Sequence, residues 1–220
     1  MGHTAICEIN SMDEIRKWKA VYRLLDQVNT EVFDCGTLCG SACCGCSSQD
    51  HEMGIYLFPG EHLLLQEICG IRQNCGIPEA VFGQPAGARA AKESALIGEG
   101  AVLTGREAAS VWLEWETQDP RELGFPDSWT DPVYFVICRT APNCPRKWRP
   151  LQCRTFPLKP VFGENGVLEL IWNDEELPYA CPIIENNLPV HDDFYKATYT
   201  VWTHLLRDPR IFDLVVSWSD

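Results

Sequence analysis

No stretch of this chain approaches the roughly 18 consecutive apolar residues that a membrane-spanning helix needs, so no membrane association is expected. Met1 to Asn10 has neither a basic start nor a long apolar run, which argues against a secretory signal. Basic charge is scarce: 18 Lys and Arg face 31 Asp and Glu, for a formal net charge of −13. Neutralising phosphates takes basic surface, so nucleic acid is excluded as the expected partner. Common catalytic signatures are missing too. There is no G-x-x-x-x-G-K-[ST] phosphate loop, Gly98-x-Gly100 does not extend into a dinucleotide fingerprint, and no G-x-S-x-G nucleophile motif occurs. His51-Glu52 begins like the zinc-protease pattern H-E-x-x-H, but Ile55 stands where the second histidine is required.

What the chain has in quantity is cysteine, with 12 among 220 residues. That is below the density of small disulfide scaffolds. With no secretory signal the expected compartment is the cytoplasm, where clustered cysteines serve metal or redox chemistry more often than stapling. Five of them, Cys35, Cys39, Cys43, Cys44 and Cys46, crowd a glycine-rich loop over 33–46. A second group runs over 138–181 with Cys138, Cys144, Cys153 and Cys181. Thiolates spaced this way can converge on one soft cation or on an iron–sulfur core. A tetrahedral zinc closes with four ligands, so the local surplus favours a polynuclear centre, two sites, or one site completed from the second group. Cys7, Cys69 and Cys75 read instead as buried or incidental thiols.

The charge balance is uneven. Arg139, Arg146, Lys147, Arg149, Arg154 and Lys159 lie between Cys138 and Gly163, with no Asp or Glu among them. Cations beside thiolates favour the deprotonated, metal-binding form. Arg149 and Arg154 bracket Cys153 closely and are the candidates to offset the charge of a thiolate centre or to hold an anion there, leaving the fold assembled when removed.

Periodicity supplies the framework. Ser11-x-x-Glu14 reads as a capping box opening a helix over about 11–28, with Ile15, Trp18, Val21, Tyr22, Leu25 and Val28 at helical spacing. Gly54 to Phe58 reads as a short strand stopped by Pro59-Gly60, and Glu61 to Cys69 as a short helix. A further helix is expected within 85–97 and a strand at 101–104. Val133 to Cys138 reads as a strand. Residues 161–172 read as a hairpin turning at Asn165-Gly166, expected in one small sheet with 133–138. Helices over about 191–207 and 209–217 close the chain, the former flanking the cysteine region together with the N-terminal helix. The acidic Asp192 and Asp193 are explained by the helix dipole rather than by a cation. Trp112, Trp115, Trp202 and Trp218 read as packing groups. The expected fold is α+β: a single domain over 1–220 with helices flanking a small antiparallel sheet and a cysteine-rich metal-binding loop region.

Several of these residues also resemble a known family. Cys35-x₃-Cys39-x₃-Cys43-Cys44, then Cys144-Pro-Arg-Lys-Trp-Arg-Pro-Leu-Gln-Cys153-Arg-Thr-Phe-Pro, then Cys181-Pro182, resembles the YkgJ-type cysteine-cluster family, described as zinc- or iron-chelating. Tyr56-Leu-Phe-Pro-Gly60-Glu61 is similar to a segment of clostridial-type members. The resemblance covers roughly 33–182 and implies a ligand set of Cys35, Cys39, Cys43, Cys44, Cys144, Cys153 and Cys181. Some flagellin lysine methylases contain a similar cysteine region, which keeps an enzymatic role among the expectations. The leading expectation is an iron–sulfur protein, with a [4Fe-4S] cluster, in redox or electron-transfer service with a redox or protein partner. The alternatives are a structural zinc module acting through a protein partner, and a metal-dependent group-transfer enzyme.

Overall fold

A computed structural model describes residues 3–28, 36–45, 47–48, 51–52, 54–68, 113–138 and 149–219. The expected helix within 85–97 and the strand at 101–104 lie outside them. The architecture is mixed α+β with small antiparallel sheets. It opens with α1 (His3–Asp26), followed by two single-turn helices in the first cysteine loop, α2 (Gly36–Cys39) and α3 (Ala42–Gly45). A minimal ladder of β1 (Ser47–Ser48) and β2 (His51–Glu52) leads into β3 (Gly54–Tyr56) and α4 (Glu61–Ile68). Then come β4 (Leu113–Gln118), β5 (Val133–Cys138), α5 (Leu151–Thr155), β6 (Leu158–Phe162) and β7 (Leu168–Trp172). The chain closes with α6 (Pro182–Glu185), α7 (Asp192–Leu205) and α8 (Pro209–Ser219).

The apolar stripe of α1 is buried as its spacing dictates: Ile15, Trp18, Val21, Tyr22 and Leu25 all face inward. Ser11 does not open this helix, contrary to the capping-box expectation. Neither proline nor glycine interrupts 3–10, so nothing stops the backbone from extending the helix to His3. The stripe joins Leu57, Phe58, Leu64 and Leu65 with Leu113, Val133 and Val136 from the strands. Phe194, Val201, Trp202, Leu205, Ile211 and Val215 from the last two long helices complete a continuous core. Trp115, Trp202 and Trp218 belong to this packing, as expected of them. Among the described residues, no helix is long and apolar enough to cross a membrane.

β5 lies between β3 and β4 in an antiparallel sheet, with Gly54 opposite Ile137 and Leu113 opposite Cys138. Sequence reasoning missed β4. The hairpin is separate from this sheet, which corrects the expectation of a single one. Its flank is covered by helices instead: the Phe162 amide donates 2.8 Å to Ser219 Oγ of α8, and Pro160 has no amide to offer a further strand. The turn matches its sequence, with Gly166 at φ 71° and its amide bonded to Gly163 O at 2.8 Å. α1 and α7 pack on one another.

Two glycines are required by close approach. A Cβ on Gly54 would lie 2.2 Å from the Phe135 ring, which covers this strand position. Gly60 holds φ 82°, and a Cβ there would meet Glu14 Oε2 at 2.2 Å and Trp18 Nε1 at 3.1 Å. Trp18 Nε1 donates to Pro59 O at 3.1 Å, so the Pro59-Gly60 turn is held against α1. Gly60→Ala therefore combines backbone strain with a clash, and chemical denaturation should show a loss of about 1–3 kcal/mol.

His62, on α4, stacks on Tyr134 with ring centroids 4.1 Å apart. Burial, and secondarily the Arg210 guanidinium, lower its pKa to about 4. The unfolded chain binds this proton near pH 6.5 while the folded chain refuses it until about 4, so stability is lost as pH falls through that window. The difference between wild type and His62→Phe in thermal melts should grow by about 1 kcal/mol per pH unit between pH 6.5 and 4.5, in the variant's favour.

Candidate metal centre

The framework brings the two cysteine segments together at both of their ends. The first segment leaves α1 just after Asp26, and the second finishes just before α5. Arg154 of α5 forms an ion pair with Asp26, which clamps these two ends to each other. The first segment then runs into β3 at Gly54, and the second starts from Cys138 at the end of β5. Gly54 pairs with Ile137 in the sheet, so this second pair of ends is also adjacent. The described residues that flank 29–53 and 139–148 are thus adjacent at two points.

The clamp at α5 is built around a buried acid. Glu61, the first residue of α4, is fully excluded from solvent. Its Oε1 accepts hydrogen bonds from Tyr22 Oη and from the Leu151 amide, each at 2.6 Å. Its Oε2 accepts from the Phe58 amide at 3.0 Å. Burial pushes its pKa up, and the three donors pull it back. The Tyr22 phenol is pushed well above its ordinary range by burial and by Glu61, with Cys153 adding to the effect and Arg154 opposing it. Cys153 therefore lies within electrostatic reach of this network.

Arg154 is buried and already engaged within the fold. Its side chain is 1% exposed. Nε donates to Arg149 O at 2.7 Å, the guanidinium covers the Tyr22 ring at 3.9 Å, and Asp26 takes the remaining charge. Sequence distance concealed this arrangement, since Asp26 and Arg154 are 128 residues apart.

The expected ligands fall into three groups. Cys39 ends α2 and Cys153 lies in α5, both half-buried, while Cys43 on α3 is exposed and Cys181 is buried just before α6. Cys44 lies on α3, but its side chain, like all of Cys35 and Cys144, is outside the described residues. Cys46, Cys69 and Cys75 are outside them too, whereas Cys7 falls within α1 and the half-buried Cys138 ends β5. Among the described residues, no group of three or more Cys, His, Asp or Glu is placed to hold an ion. The thiol of Cys153 on α5 is a donor that suits a thiophilic metal and serves a hard cation poorly. Arg149 precedes α5 and is half-buried, and its carbonyl is occupied by Arg154.

Removing Arg154 takes away a buried stem, a ring contact and charge-assisted hydrogen bonds. Arg154→Ala should lower unfolding free energy by about 2 kcal/mol or more in denaturant titrations, with Asp26 left partly hydrated.

No protein-family model matches this chain, and no curated protein or solved structure matches it.

Proposed function

We propose that this protein carries a thiolate-ligated metal centre drawn from both cysteine segments, an iron–sulfur cluster of the [4Fe-4S] kind, in redox or electron-transfer service. The observation that carries the reading is the pairing of segment ends: Asp26 with Arg154 on one side, Gly54 with Ile137 on the other. Two cysteine-bearing segments held at common endpoints are confined to one neighbourhood, which lowers the chain-entropy cost of joining them through a shared centre. The proposed ligands are those of the YkgJ-type resemblance: Cys35, Cys39, Cys43, Cys44, Cys144, Cys153 and Cys181. They exceed the four that one cluster takes, so the centre draws on a subset.

When bound, such a cluster supplies a one-electron couple. The chain's own contribution is to hold thiolates deprotonated and to set the local charge. Arg149 is the arginine proposed to stand beside the centre. Arg154 acts through the position of α5, because Asp26 and Arg149 O already engage it.

Protein purified without oxygen should be coloured and contain iron and acid-labile sulfide in comparable amounts. Cys153→Ser and Cys39→Ser should each reduce metal retention at least ~10-fold, and Cys7→Ser should leave it unchanged. A colourless protein with stoichiometric zinc would overturn the redox reading in favour of a zinc module. Full metal occupancy in Cys153→Ser would show that Cys153 is not an essential ligand.

A further inference from the structure

We propose that Glu61 is a positioning residue for Cys153: a buried carboxylate that fixes the first turn of α5 and so the direction of the Cys153 thiol. The inference rests on Cys153 being a ligand, and it adds a residue that no cysteine pattern identifies.

α5 spans five residues, too few to hold its shape by its own hydrogen bonds. Pro150 at its N-cap provides no side-chain acceptor. The Leu151 amide would be one of the helix's orphan donors, and Glu61 Oε1 satisfies it from 90 residues away. The same carboxylate accepts from the Phe58 amide and from Tyr22 Oη, so three segments meet on one side chain. Backbone amides can only donate, hence two of these three partners demand an acceptor-only group. Ionised glutamate is such a group, and glutamine would turn an amide N–H₂ toward at least one donor.

The far end of α5 is tied to the same face of α1. Arg154 covers the ring of Tyr22 and pairs with Asp26, one helical turn further along. Cys153 lies between these ties, with Leu151 bonded to Glu61 on one side and Arg154 on the other. A charged group buried this completely is costly unless fully paired, and all its partners are in place.

The test uses the full-length protein isolated without oxygen, pulse-alkylated with iodoacetamide and read cysteine by cysteine from peptide masses. Glu61→Gln should raise the labelling rate of Cys153 roughly 10-fold and speed metal loss to a chelator by a similar factor, the size typical of a ligand's hydrogen-bonded support. Cys138, half-buried at the end of β5 and outside the proposed ligand set, should keep its wild-type rate and serves as the internal control. If Glu61→Gln does not fold, Tyr22→Phe removes one donor, leaves both backbone bonds, and should shift Cys153 in the same direction by a smaller factor. An equal rise at Cys153 and Cys138 would overturn the proposal, because it would mean general loosening. So would unchanged Cys153 labelling in a Glu61→Gln protein that folds. Should Cys153→Ser keep its metal while Glu61→Gln still exposes Cys153 selectively, the ligand assignment fails and the positioning role stands.

Discussion

The described framework depends on one carboxylate. Glu61 is buried in the core, yet it is surrounded by donors from α1, from the turn before α4, and from the start of α5. Desolvation makes an isolated charge there untenable, and the arrangement stands because both carboxylate oxygens are hydrogen-bonded. The requirement extends outward. Tyr22 must present its hydroxyl to Glu61, which turns its ring face to Arg154, and Arg154 in turn reaches Asp26. Gly60 must lack a side chain because Glu14 and Trp18 occupy the space beside the turn that aims Glu61 inward. Apolar burial supplies the driving force, while this polar network selects which segments meet.

That selection has a functional consequence. A short helix carrying one cysteine is fixed beside the point where α1 releases the first cysteine segment. The sheet fixes the other pair of ends through Gly54 and Ile137. Metal ligation from loops is entropically demanding, and anchoring both ends of both segments reduces that demand before any metal binds. The cation-rich 138–163 segment fits the proposed centre, whose thiolate charge such cations would offset, although Arg154 and Lys159 are themselves paired with Asp26 and with Asp174 and Glu175.

Local elements were legible in the sequence, and long-range polar partnerships were not. The stripe from Ile15 to Leu25, the Asn165-Gly166 turn and the β-branched run at 133–138 each depend on neighbouring residues, so their patterns survive in one dimension. β4 was missed although Leu113, Trp115 and Thr117 alternate with Glu114, Glu116 and Gln118, because the run is short and rich in glutamate. Glu61 looked like an ordinary acidic residue opening a helix. Nothing within several residues of it signals that its partners are Tyr22 and Leu151. Arg154 was singled out for its closeness to Cys153, but its burial against Tyr22 and Asp26 is a tertiary fact. Of the candidate ligands, Cys153 acquires a definite structural setting, and its place beside the Glu61 and Arg154 ties was not readable from spacing.

The central claim is that both cysteine segments serve one centre. It is tested most directly by an experimental structure of protein prepared without oxygen. The account predicts that at least one sulfur from Cys35–Cys44 and the sulfur of Cys153 or Cys144 ligate the same cluster or ion, at metal–sulfur distances of about 2.3 Å. Separate centres, each closed by cysteines of a single segment, would contradict it.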